Sequence, residues 1–295
     1  MQDQPITVRE FEVVRALPGG DRVTLRGEEA AGRPPGRLLV LLHGLSATRR
    51  NVVQGSNHLV RRGYRLIACD ARGHGESDPA PEASAYQYDD LVGDLEAVLT
   101  HFGIERPVLV GSSMGAATAL AWALENPGRV AALVQITPAY AGAPRTDGLE
   151  DEQWERMSRA LAEGGIDGFL EVAAPEDVPP RWRDVAREAS RQRMERHRHL
   201  EAVADALRVV PRSRAFDGLE PLEHLEVPVL VVGSRDDADG LHPLAIAEEY
   251  SRRLPRAELV VEDEGSSPLA WQGARLSTAI GDFLERVGLP PRAQE

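Results

Sequence analysis

The stretch that most limits how this chain can fold runs from Val108 to Ala119, VLVGSSMGAATA. An apolar run meets Gly111-Ser112-Ser113-Met114-Gly115 and passes directly into alanine-rich, helix-forming sequence. The pattern is G-x-S-x-G between a strand and a helix, where a sharp turn lifts the central hydroxyl above the sheet edge. Glycine at both ends allows strained backbone angles and close helix–strand packing. Ser113 is therefore the candidate nucleophile.

A second motif lies upstream. After the apolar run Leu38-Leu39-Val40-Leu41-Leu42 comes His43-Gly44-Leu45-Ser46. Acyl transfer needs two backbone N–H groups aimed at a developing oxyanion, one after the nucleophile and one from a loop that follows an earlier strand. Met114 and Leu45 are the expected donors.

Three stretches together resemble the α/β-hydrolase superfamily: HGLSAT its oxyanion loop, Asp70-Ala71-Arg72-Gly73-His74-Gly75-Glu76-Ser77 its D-x-R-G-H-G-x-S turn, and GSSMG its nucleophile elbow. The resemblance covers nearly the whole chain. It implies an α/β fold, with a doubly wound, mostly parallel eight-stranded sheet, an antiparallel N-terminal hairpin and a helical lid after the sixth strand. One fold hosts many reactions, so the chemistry has to be argued from the site.

The elements can be read independently of the resemblance. Residues 6–31 alternate apolar and polar positions around Pro18-Gly19-Gly20-Asp21, which predicts a hairpin with one solvated face. The runs at 38–42, 65–69 and 107–110 are short and almost wholly apolar, as strands buried on both faces of a parallel sheet are. Tyr88, Leu91, Val92, Leu95, Val98 and Leu99 recur at helical steps, a second helix continues from Ala116, and Val130 to Ile136 predicts a strand. Strand–helix alternation resumes with a strand at Pro228–Gly233, a helix at Pro243–Leu254, a strand at Glu258–Val261 and a helix at Pro268–Val287. The expected division is a core of 1–140 and 215–295 with a lid of 141–214, its helices separated at Gly164-Gly165 and Pro179-Pro180.

Composition narrows the function. The net charge of −13 argues against nucleic acid or an anionic membrane as the main partner. All 34 basic residues are Arg, which excludes Schiff-base chemistry and a phosphate-loop lysine. Cys69, the single cysteine, is expected to be a buried, inert thiol at a strand end. The histidines lack the spacing of a metal site, no G-x-G-x-x-G follows the early strands, and neither metal nor cofactor is expected. The N-terminus lacks a signal-peptide pattern and no run approaches the length of a membrane span, giving the expectation of a cytoplasmic protein. The expected partner is a small-molecule substrate or ligand; the sequence leaves oligomeric state open. Residues 181–214 hold ten arginines against five acidic side chains, either an attraction for an anionic substrate or a solvated face held by pairs such as Asp184–Arg187 and Glu188–Arg191.

An activated serine needs a base and the base an orienting acid, in the order Ser, acid, His in this fold. Asp236, leaving the seventh strand in Gly233-Ser234-Arg235-Asp236, is the first choice of acid, and Asp239 in Asp239-Gly240-Leu241-His242-Pro243 the alternative. The superfamily's histidine follows the eighth strand, but Ser266 stands at that position in Glu264-Gly265-Ser266-Ser267, and no His occurs after His242. His242 is a possible base; His197 and His199 are lid-borne alternatives, and His43 and His74 are expected to be structural. The readings left open are a hydrolase of a small ester, thioester or lactone with an altered triad, a disarmed ligand-binding or sensing protein of the same fold, and a lyase, cyclase or acyltransferase.

Overall fold

A computed structural model describes residues 5–32, 36–144, 148–173, 178–235, 241–263, 271 and 273–291, with the side chains of 148–150 excepted. The chain opens with β1 (Thr7–Ala16) and β2 (Arg22–Ala31), paired antiparallel around the expected Gly19-Gly20 turn. There follow β3 (Leu38–Leu42), a short α1 (His58–Arg61), β4 (Arg65–Cys69), α2 (Tyr88–His101), β5 (Val108–Ser112), α3 (Met114–Glu125) and β6 (Ala132–Ile136). Three helices come next, α4 (Gly148–Val172), α5 (Pro180–Met194) and α6 (Leu200–Val209). The chain then returns with β7 (Val229–Gly233), α7 (Leu244–Arg253), β8 (Ala257–Val261) and α8 (Gly273–Arg286).

The strands form one eight-stranded sheet in the order β1-β2-β4-β3-β5-β6-β7-β8. β2 pairs antiparallel with both β1 and β4, and every pairing from β4 through β8 is parallel. Strand β5 runs two residues past the expected end, to Ser112, and α3 starts two residues early at Met114. Ser113 alone makes the turn between them.

Alternation along the central strands sorts their side chains onto two faces. Leu39, Leu41, Val108, Val110, Val134 and Val232 join Leu276, Ile280 and Phe283 of α8 on one side. Val40, Leu109, Leu133 and Val231 meet α2, α3 and α7 on the other. Burial of each such side chain is worth roughly 1.5–3 kcal/mol, which fixes the strand register and with it the position of every loop at the carboxyl edge.

The helices between β6 and β7 have their own apolar seam. Met157, Leu161, Phe169 and Leu170 of α4 pack with Met194, Val203, Ala204 and Leu207 of α5 and α6. The helical run of α4 is broken at Gly165, whose φ of +60° and ψ of −152° are non-helical. The unit rests on the sheet domain through Ala202, Ala206 and Val210, packed with Tyr86, Tyr88, Met114 and Tyr140. The arginines expected to pair within α5 instead bridge helices: Arg191 binds Asp167 at 2.7 Å, and Arg187 donates to the Leu170 carbonyl at 3.0 Å. Arg212 binds Asp151 and Glu155 at 2.5 and 3.2 Å. The charge faces α4 because α5 lies against it, a fact that spacing within one helix does not carry.

Candidate active site

Ser113 has φ of +50° and ψ of −110°, a conformation an L-residue adopts only when its surroundings hold it there. Two backbone bonds do the holding: its N–H donates to the Ile136 carbonyl at 3.0 Å, and its own carbonyl accepts from Ala117 at 3.0 Å, starting α3. The side chain is left for other work. Its Oγ lies 2.8 Å from Nε2 of His242.

Close approach makes this geometry possible. A Cβ on Gly115 would fall on the carbonyls of Leu42 and His43, so α3 touches the end of β3 directly. A Cβ on Gly44 would stand 3.3 Å from the Ser113 Cβ. The His43–Ala47 turn therefore leans against the serine.

The two expected oxyanion donors belong to the two segments that meet at the serine, the start of α3 and the turn after β3. Met114 is the first residue of α3, so its N–H has no acceptor within the helix. The Leu45 N–H shares a peptide plane with the Gly44 carbonyl, which accepts from His43 Nδ1 at 2.7 Å and Ala47 N–H at 3.1 Å. In a trans peptide the N–H points opposite to the C=O, so gripping the Gly44 oxygen aims the Leu45 amide away from those donors.

Hydrogen bonding fixes the state of the imidazoles behind this turn. His43 donates from Nδ1 to a carbonyl and accepts from Ala71 N–H at Nε2, 2.8 Å. His74 donates from Nδ1 to the Arg72 carbonyl at 3.0 Å and accepts from Ser46 N–H at 3.3 Å. His197, between α5 and α6, accepts from Gly75 N–H at Nδ1, 2.9 Å, and donates from Nε2 to the Ser46 carbonyl at 3.1 Å. Each ring has one nitrogen facing an N–H, so all three are neutral. Burial pushes His43 and His197 down to about 3, helped by repulsion from His74, and burial also lowers His74. His43 and His74 thus have the structural roles expected of them. His197 does not reach Ser113 as a base: both its nitrogens are occupied by backbone.

The Asp70–Ser77 turn supports this arrangement. Asp70, fully buried, accepts from the Arg49 and Glu76 N–H groups at 2.7 and 3.1 Å and pairs with the Arg49 guanidinium. Arg72, also fully buried, makes two 2.7 Å bonds to the Asp94 carboxylate. Cys69 donates its S–H to the Arg26 and Asp70 carbonyls, and burial pushes the thiol well above its usual value, away from reactivity.

Asp236, Asp239 and Ser266 lie outside the described residues. Glu262, which the sequence reading passed over, stands directly after β8 and is 3% exposed. Its Oε1 accepts from Ser234 Oγ and Arg235 N–H, both at 2.6 Å. It thereby ties down the chain leaving β7 towards His242. The available signal was a carboxylate ending an apolar strand level with the end of β7. Among the described residues no group of three or more His, Cys, Asp or Glu side chains is placed to hold a metal ion.

Residues 37–271 match the family model described as the alpha/beta hydrolase fold. The chain belongs to that family. This α/β-hydrolase is 26% identical over 262 residues to the AB hydrolase superfamily protein YisY of Bacillus subtilis, covering 84% of this chain and 91% of that one. It is 27% identical over 278 residues to a 2-hydroxy-6-oxononadienedioate/2-hydroxy-6-oxononatrienedioate hydrolase of Paraburkholderia phymatum, covering 92% and 94%. Its fold is shared with a thermophilic esterase from Thermogutta terrifontis at a TM-score of 0.74 and 24% identity, covering 95% of this chain and 99% of that one.

Proposed function

We propose that this α/β-hydrolase cleaves a small ester, thioester or lactone through an acyl-enzyme on Ser113, with His242 as its general base. The observation that carries the reading is the 2.8 Å contact between His242 Nε2 and Ser113 Oγ. At that distance the imidazole takes the hydroxyl proton as Oγ attacks the substrate carbonyl. The carbonyl oxygen becomes an oxyanion, held by the Leu45 and Met114 N–H groups. His242 then gives its proton to the leaving group as the C–O or C–S bond breaks. Water, deprotonated by the same imidazole, attacks the acyl-serine and releases the acid.

The remaining parts are assigned from sequence position. Asp236, with Asp239 as the alternative, orients His242 through its other nitrogen. The helices within 141–214 form a cap over the site. The superfamily's histidine position after β8, Ser266, has no catalytic duty because the base comes from the segment after β7. A hydrogen-bonded imidazole beside the serine favours catalysis over the ligand-binding reading. Hydrolysis is further supported by the relatives, which are themselves named as hydrolases. Arg187 and Arg191 of α5 and Arg212 are engaged with α4, so these three give no support to an anionic substrate. Among the described residues no helix is long and apolar enough to cross a membrane.

Labelling with a fluorophosphonate, read by peptide mass spectrometry, tests the assignment. The expected adduct is on Ser113, lost in Ser113→Ala and formed far more slowly in His242→Ala. An unmodified Ser113 in the native protein overturns the reading.

A further inference from the structure

The Leu45 amide sits in a turn whose next residue, Ser46, has φ of +56°. A non-glycine residue in that region costs roughly 1 kcal/mol or more and stays there only if its neighbours hold it. Both ends of Ser46 are held by imidazole: its N–H donates to His74 Nε2 at 3.3 Å, and its carbonyl accepts from His197 Nε2 at 3.1 Å. The first imidazole belongs to the Asp70–Ser77 turn, and the second comes from the helices inserted 151 residues away in sequence.

His197 is itself firmly placed. It is 8% exposed, its Nδ1 accepts from Gly75 N–H at 2.9 Å, and the neighbouring Arg198 N–H donates to the Gly75 carbonyl at 2.9 Å. The inserted helices thus clamp Gly75 through its amide and its carbonyl, and from that anchor extend one N–H to the Ser46 carbonyl. Its ring stacks edge-on against His74 with centroids 5.5 Å apart, and His74 lies 5.2 Å from His43, whose Nδ1 aims the Gly44–Leu45 peptide. The three rings form one continuous support behind the oxyanion turn.

We infer that His197 is a positioning residue for the oxyanion hole: the cap, through the His197–Ser46 hydrogen bond, sets the orientation of the Leu45 amide, so that docking of the cap completes the site. The inference rests on the serine-hydrolase reading above for its kinetic consequence, and on geometry alone for the coupling. An uncharged donor at the ring's outer nitrogen is what the turn requires. The side chain touches no reacting atom and acts through Ser46.

Two amide substitutions separate the two ends of the ring. In His197→Gln the amide reaches the Nε2 position and can still donate to the Ser46 carbonyl. In His197→Asn it reaches only the Nδ1 position, which keeps the Gly75 bond and loses the Ser46 bond. Met194→Ala, deep in the seam between the inserted helices and 0% exposed, loosens the cap without touching the turn. With p-nitrophenyl acetate, His197→Asn is expected to lower kcat about 10- to 100-fold with KM changed less than about threefold, because a misaimed oxyanion donor acts on the transition state. A trifluoromethyl ketone, which forms a tetrahedral adduct, is expected to lose affinity in proportion. His197→Gln is expected to stay within about fivefold of the native protein. Equal kcat in His197→Asn and the native protein, or equal losses in His197→Asn and Met194→Ala at matched folded fractions, overturns the inference. If the native protein neither turns over ester nor takes the fluorophosphonate, the hydrolase reading fails by itself. The coupling is then read from amide hydrogen exchange over residues 44–48, which is expected to quicken more in His197→Asn than in Met194→Ala; unchanged exchange in His197→Asn overturns it.

Discussion

Gly111 and Gly115 face each other across the elbow with no room for a methyl group: a Cβ on Gly111 would fall on the Gly115 carbonyl. The pair lets α3 leave β5 at once, and Gly115 in turn lies against the carbonyls of Leu42 and His43. The start of α3 and the end of β3 are brought together beside Ser113 by this double approach of backbone to backbone.

Gly115→Ala therefore has no cheap relaxation, since the atoms in its way are main chain. It is expected to destabilise the fold by several kcal/mol, in the range of severe overpacking. Urea unfolding of Gly115→Ala beside Gly128→Ala measures this, because a Cβ on Gly128 meets nothing within 4 Å. Equal midpoints for the two variants would contradict the packing argument.

The Arg72–Asp94 pair predicts a loss of another kind. Asp94 takes two bonds from Arg72 and one from Arg15 at 2.8 Å, and Arg72 is 0% exposed. Removing the carboxylate leaves the buried guanidinium with Asp90 at 3.1 Å and the Ala85 carbonyl at 2.8 Å but without its main counter-charge, which costs up to about 3–5 kcal/mol. Asp94→Ala is expected to lower the unfolding free energy by that amount, and a double variant, Asp94→Ala with Arg72→Met, to recover part of it. Failure of the double variant to recover stability would show that packing, and not stranded charge, sets the cost.

The three buried imidazoles predict acid sensitivity. His43 and His197 titrate near 3 in the folded chain against about 6.5 when unfolded. Between those values the unfolded chain binds more protons, so stability is fully present above about pH 6.5 and is lost as pH falls towards 3. The loss approaches about 1.4 kcal/mol per pH unit for each such histidine. Urea midpoints taken from pH 7 to pH 4 are expected to fall less steeply in His197→Gln than in the native protein. Parallel curves would mean that His197 is not held neutral.

Placement of the base makes a pair of kinetic predictions. His242→Ala is expected to lower kcat on p-nitrophenyl acetate by at least about 10³-fold. Ser266→His is expected to leave the native rate within severalfold and not to rescue His242→Ala. A large gain from Ser266→His in the native background would return the base to the segment after β8.

The fold was legible because its signals are local. GSSMG, HGLS and the Asp70–Ser77 turn each need only a few neighbouring residues to state their geometry, and the apolar strands announce a sheet covered on both sides. The site was only partly legible. His242 stood out because it follows Asp239 closely at the expected sheet edge, but its 2.8 Å approach to a serine 129 residues away depends on the path of the chain after β7. His197 looked like a candidate base on a basic segment; its bonds to Gly75 and Ser46 depend on how three helices dock, which no spacing encodes. Glu262 was passed over for a similar reason, since its partners Ser234 and Arg235 become neighbours only through the β7–β8 pairing.

Glu262 fastens the start of the β7–α7 connection from the next strand over. The first two residues beyond β7 are thus fastened to the neighbouring strand's end by one carboxylate. For laboratory evolution this marks Glu262 as a position to leave unvaried, because its loss would unfasten Ser234 and Arg235 whatever property is being selected.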